Sequence, residues 1–236
     1  MEKTQQPFSD AHFYDEGLRK HMVSTYALVT QGLVATALSA AIVGSTSLMN
    51  LFVSPEGGFT GLGLAVSLAP LAVLLLFMFG MVGKSLASTK MVFWALVALL
   101  GPSLAVSVFQ YTGASVVNAA VAAIATFLGA SLYGYTTQKS LASMGSFLVM
   151  GLIGLIAASV INIFLGSSAL DFALSVMAVL IFTGLTAWET QDLKSSYDLN
   201  LTSEETEKLK YLFAINLYLN IINLFRAILN LTGDRS

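Results

Sequence analysis

The chain has 236 residues, of which 56% are hydrophobic and only 10% charged, and its net charge is −2. Soluble domains carry about 25% charged residues, and a core of this size cannot hide so much apolar surface, so a lipid bilayer must take part of it. The charge balance and the lack of a basic block exclude nucleic acid as a partner class; with no cysteine, disulfides and thiolate metal sites are excluded too.

Residues 1–22 form a polar N-terminal tail with Glu2, Lys3, Asp10, Asp15, Glu16, Arg19 and Lys20. A cleaved leader would place a short apolar run directly after a basic start, so the first long apolar run is expected to remain as an anchor. Spanning a bilayer takes about 20 apolar residues, and seven segments qualify, at about 23–45, 62–83, 90–110, 113–136, 142–165, 169–190 and 208–231. The breaks between them carry turn chemistry. Ser54-Pro55-Glu56-Gly57-Gly58 divides the first two, Gln138-Lys139-Ser140 the fourth and fifth, and Gly166-Ser167-Ser168 precedes the sixth. The break at Tyr111-Thr112-Gly113 requires a tight hairpin. The expected class is an all-α membrane protein, with 23–231 as one transmembrane domain and 232–236 as a short C-terminal tail.

Lysine and arginine set the orientation. With the N-terminus in the cytoplasm, the inside segments hold Lys3, Arg19, Lys20, Lys84, Lys90, Lys139, Lys194, Lys208 and Lys210, while the outside loops hold none. Arg226 and Arg235 lie in the last span and the tail beyond it, which ends outside. The 191–207 segment is the longest inside loop. Thr202-Ser203-Glu204-Glu205 reads as a capping box, so the last helix is expected to begin near Ser203.

Charge inside a bilayer is costly, so each ionisable residue within a span is a site candidate. Three stand out: Asp171, Glu189 and Arg226. Asp171, at the start of the sixth span, has a sufficient explanation as a first-turn carboxylate favoured by the helix dipole. It cannot reach Glu189, because eighteen residues of helix cover about 27 Å. Arg226 is expected to reach outward to the membrane surface. Glu189 admits two readings, a side chain reaching the inner surface or an ion or proton site facing protein. Asp192 lies one turn beyond it on the same face. On the seventh span Asn216, Asn220, Asn223 and Asn230 are spaced by helical turns and form one amide stripe, expected to face inward either as interhelical glue or as the lining of a polar path. Small residues dominate the fourth span from Asn118 to Ala125, which is a packing signal.

Several ordered motifs now converge. FTGLTAWETQDLK (Phe182–Lys194) and NLYLNIINLF (Asn216–Phe225) resemble the sixth- and seventh-helix signatures of the Bax inhibitor-1 family. Residues 125–168 resemble its bacterial branch across the fourth and fifth helices, and YDEGLRKHM (Tyr14–Met22) resembles the tail before the first helix. The resemblance runs from about Tyr14 to Leu231. It implies a seven-helix bundle with the last helix central, lying in a bacterial inner membrane. It also implies a pH-sensitive calcium leak whose sensor is a pair of aspartates, one from each of the last two helices, sharing a proton. Two such close carboxylates cannot both ionise cheaply.

Carried over residue by residue, the sixth-helix aspartate falls on Glu189 and the seventh-helix aspartate on Asn220. One carboxylate is thus longer by a methylene and the other is an amide, which can donate a hydrogen bond but cannot titrate. Glu189 is expected to titrate alone and to be a weak calcium ligand, since calcium affinity follows ligand charge. Asp192, Asn216 and Asn223 are auxiliary positions, and Lys84 is the local counterpart of a basic residue near the sensor. No resident cofactor is expected; calcium enters as the permeant or bound ion. The partners are the lipid bilayer, calcium or other cations, and a membrane protein.

Two functions compete. One is a passive cation leak gated at Glu189. The other is a non-transporting membrane regulator of proteases or of stress and cell-death machinery, which the loss of the second carboxylate favours. An enzyme is not expected, because the only histidines, His12 and His21, lie before the first span and no pair of acids faces across two spans.

Overall fold

The computed structural model describes residues 6–56, 58–80 and 85–234. Among them are seven α-helices: α1 (Gln6–Ser45), α2 (Gly61–Met78), α3 (Leu86–Val108), α4 (Gly113–Thr136), α5 (Ala142–Leu165), α6 (Ser168–Ser195) and α7 (Ser203–Thr232). All seven are long and apolar enough to cross a bilayer. The described residues contain no strand, only an isolated antiparallel bridge between Val53 and Phe59. The protein is an all-α integral membrane protein, with seven spans among the described residues.

The helix ends follow local chemistry. Thr202 caps α7, as its sequence suggests: its Oγ1 accepts from the Glu205 amide at 3.2 Å while Glu205 Oε2 accepts from the Thr202 amide at 2.9 Å. Thr60 and Thr112 cap α2 and α4 by accepting from the amides three residues on. Two ends differ from expectation. The polar tail is helical from Gln6 onward and continuous with the first span, so α1 is 40 residues long, about 60 Å, or twice a bilayer core. The second span closes at Met78 instead of near residue 83, because Gly80 takes φ 71°, a left-handed conformation in which the helix cannot continue.

The chain divides into two compact units. The first comprises residues 1–107 and 196–215. Its core includes Leu28 and Val29 of α1 and Phe93, Leu96, Val97 and Leu100 of α3. Val43, Met49, Phe52 and Val53 cluster with Ala105 and Val106 of α3. Within this unit Lys90 of α3 pairs with Glu207 of α7 at 2.8 Å, and Phe93 meets the Tyr211 ring edge-on at 5.8 Å.

The second unit comprises residues 108–195 and 216–236. Here α6 packs along both α4 and α5. Phe147, Met150, Ile153, Ile163 and Phe164 of α5 are exposed, the pattern of a face turned to lipid. The last helix is the most buried of the seven: 61% of its most apolar stretch is covered, against none of the corresponding stretch of α5.

Candidate functional site

The site is built on three consecutive residues of α6. Successive residues on a helix point about 100° apart, so Ala187, Trp188 and Glu189 address three directions. Ala187 meets α4 at Gly134, where any Cβ would overlap the Ala187 carbonyl oxygen. Trp188 meets α5 at Gly145, where a Cβ would overlap the indole. Two glycines therefore let α4 and α5 close on α6, and together they fix its rotation about its axis. The third direction is left for Glu189, which points at α7.

There it meets Asn220. Asn220 Nδ2 donates to Glu189 Oε2 at 2.6 Å. Both side chains are buried, with 8% of Glu189 and 4% of Asn220 exposed. The two residues that the sequence singled out on the last two helices are thus brought into contact, and Glu189 faces protein instead of reaching the membrane surface. Thr186 and Thr190, on the same side of α6, are buried as well, and Thr186 turns its hydroxyl back onto the Phe182 carbonyl at 2.7 Å.

Beyond the site, α6 is pinned to the α4–α5 connection. Gln191 Nε2 donates to the Lys139 carbonyl at 2.9 Å, and its Oε1 accepts from the Leu141 amide at 2.7 Å. Lys194 Nζ donates to the Tyr135 carbonyl at 3.1 Å and sits 4.8 Å from the centre of that residue's ring. These bonds hold the end of α6 one turn past Glu189.

The auxiliary positions fare unevenly. Asp192 is exposed but lies within Coulombic range of Glu189. Asn223 is half-buried and Asn216 is exposed. The amide stripe is therefore not uniformly buried: at about 100° per residue Asn216 points between Asn220 and Asn223, so its direction on α7 does not account for its exposure. Lys84 lies outside the described residues. Arg226 does not reach fully outward; it is half-buried, with its Nε shielded from solvent.

Asp171 and Asn230 form a second cluster that sequence reasoning missed. Asn230 Nδ2 donates to Asp171 Oδ2 at 3.0 Å and to Ser175 Oγ at 2.8 Å, and its Oδ1 accepts from the Tyr111 hydroxyl at 3.2 Å. Just past α7, the Thr112 amide donates to the Asp234 carbonyl at 3.0 Å and the Asp234 amide donates to Ser115 Oγ at 2.9 Å. One asparagine thus ties the α3–α4 hairpin, the start of α6 and the end of α7 together. Its place on the amide stripe was visible; its partners, 55 to 119 residues away, were not.

Chemically, the Glu189–Asn220 contact offers one group that can take up or release a proton and one amide that holds it. Among the described residues no three histidine, aspartate or glutamate side chains converge as metal ligands. One carboxylate and one amide oxygen fall well short of the six to eight oxygens calcium prefers.

Comparison with known proteins agrees with this architecture. Residues 18–236 match the family model described as inhibitor of apoptosis-promoting Bax1. An uncharacterised protein of Caulobacter vibrioides is 40% identical over 225 residues, covering 93% of this chain and 90% of its own. An uncharacterised protein of Rickettsia prowazekii is 39% identical over 223 residues, covering 94% and 92%. The inner membrane protein YbhL of Escherichia coli K12 is 36% identical over 222 residues, covering 93% of each chain. With the family model matched from the first helix to the C-terminus and relatives aligned along nearly their whole length, the chain belongs to the Bax inhibitor-1 family.

Proposed function

We propose that the protein is a passive, pH-sensitive cation leak, with calcium as the permeant ion and Glu189 as the group whose protonation sets its state. The observation that carries this reading is the buried hydrogen bond from Asn220 to Glu189. A carboxylate within an apolar span is costly to keep, and here it is held by a side chain from a different helix. A change in its protonation alters that bond directly: the carboxylate only accepts, whereas the neutral acid can also donate to the Asn220 Oδ1 atom. The link between α6 and α7 is therefore where a proton would act.

The inner membrane is the proposed location, by analogy with YbhL. The lysine and arginine distribution supports a cytoplasmic N-terminus and an external C-terminus. The reading involves no enzymatic chemistry and no resident cofactor; calcium is cargo, and Glu189 is a weak ligand along its way.

One observation favours a second reading. An amide replaces the second carboxylate at Asn220, which removes a formal charge from the site and suits a non-transporting regulator that binds a membrane protein partner. Calcium flux into proteoliposomes across the neutral pH range separates the two. A leak gives flux that varies with pH and loses that variation in Glu189→Gln. A regulator gives no flux in the native chain, with or without Glu189.

A further inference from the structure

A second titratable side chain lies buried, this one in the first unit. His21 of α1 is 5% exposed, and its Nε2 is buried without a hydrogen-bond partner among the described residues. The imidazole packs against the Tyr197 ring at 5.6 Å, tilted by 33°. Tyr197 belongs to the connection between α6 and α7. Its phenol end occupies the place that a side chain at Gly17 would take, since a Cβ there would overlap the Tyr197 hydroxyl. Gly17 and His21 are one turn apart on the same face of α1. Together they form a seat, with a notch at Gly17 for the phenol end and a ring at His21 for the aromatic face.

The charge acting on His21 from the neighbouring helix is the Lys210 ammonium of α7. Lys210 is 3.9 Å from Glu207, whose carboxylate is already engaged at 2.8 Å by Lys90 of α3. On α1 itself Asp15, Glu16, Arg19 and Lys20 are all exposed. Asp198, next to Tyr197, is exposed too, and its carboxylate accepts from the backbone and side-chain amides of Asn200. Among these charges Lys210 is the one that acts on His21.

We infer that protonation of His21 releases the Tyr197 segment from α1, making the seat an acid-opened latch between the N-terminal helix and the α6–α7 connection. The neutral ring fits: it is apolar enough to stack on a phenol and to tolerate burial. A second proton puts a positive charge on a buried ring beside Lys210, with no acceptor for the new donor. The cheapest relief is for the ring to reach water, and the rings cannot stay stacked when it does. Histidine is the side chain whose charge ordinarily changes between about pH 5 and 8. The latch does not depend on the leak reading, and its readout is a distance, not a flux.

The test is the separation of two spin labels in the full-length protein in lipid nanodiscs. The chain has no cysteine, so Val23→Cys with Leu199→Cys labels two exposed positions without removing a charge. Burial, and then Lys210, hold the His21 imidazole below its ordinary pKa, so at about pH 7.5 a single short distance is expected, and at about pH 4.5, below the usual histidine range, a longer and broader population is expected to appear. His21→Gln and His21→Phe, neither of which can take the proton, are expected to keep the short distance at both values. Gly17→Ala, which fills the notch, is expected to give the long population at both. An unchanged distribution in the native protein overturns the inference, as does an acid response that survives in either His21 variant.

Discussion

Asn220 Nδ2 lies 2.6 Å from Glu189 Oε2, with both side chains buried and 31 residues apart in the chain. The amide gives the buried carboxylate a donor, and the carboxylate in turn accounts for a buried amide. Each residue is the reason the other is tolerated.

Their coupling is measurable. Asn220→Ala leaves Glu189 buried without this donor, and losing the partner of a buried polar group costs about 1–3 kcal/mol. Glu189→Ala leaves the Asn220 amide in the same position. The double variant removes both groups and should be less unstable than the sum of the singles by about 1 kcal/mol or more. Thermal unfolding in detergent, run as a four-protein cycle, reads this directly; additive losses would mean that the contact contributes nothing.

Asn220→Asp places a second carboxylate against Glu189. Two acids at hydrogen-bonding distance share one proton and titrate as a unit. Calcium flux in this variant is expected to depend more steeply on pH than in the native chain, and calcium affinity is expected to rise with the added charge. Proteoliposome flux measured side by side checks it, and identical pH profiles would show that the second carboxylate has no part in gating.

Much of this was legible in the residues. Glu189 stood out because charge is rare in the spans, and Asn220 because amides recur along α7 at helical spacing. The α7 cap was readable because Thr202 and Glu205 satisfy each other within one turn. The end of α2 was not, because apolar residues continue past Met78 and only the backbone at Gly80 stops the helix. The exposure of Asn216 was hidden for a different reason: spacing gives the direction of a side chain on its helix, and whether another segment covers that point is decided by packing that spacing does not encode. The seat of Tyr197 on Gly17 and His21 joins positions about 180 residues apart, a separation that local propensity does not encode.

The glycines of α4 and α5 should differ sharply in tolerance. A Cβ at Gly134 would overlap the Ala187 backbone and one at Gly145 the Trp188 ring, whereas Gly129 and Gly154 face open space. Gly134→Ala and Gly145→Ala are expected to destabilise the protein by about 1–3 kcal/mol through overpacking. Gly129→Ala and Gly154→Ala are expected to be neutral or to stabilise by up to about 1 kcal/mol, the helix preference of alanine. Melting temperatures of the four variants in one detergent make the comparison. Equal losses at all four sites would contradict the view that close approach to α4 and α5 sets the aim of α6.

The Asn230 cluster should be the most sensitive polar site away from Glu189. Its amide is fully used, with both Nδ2 protons donated and Oδ1 accepting from Tyr111. Tyr111→Phe removes one of these bonds and is expected to cost about 0.5–1.5 kcal/mol. Asn230→Leu strips the partner from Asp171, Ser175 and Tyr111 together and should cost more. Asn230→Asp is similar in size but sets a second carboxylate against Asp171, so its loss should shrink as the pH falls and one of the two acids takes a proton. At neutral pH the expected order of stability is native, Tyr111→Phe, then Asn230→Leu and Asn230→Asp, with only the last recovering in acid. An Asn230→Asp variant as stable as the native protein at neutral pH would mean that Asp171 and Asn230 do not hold the two helix ends together.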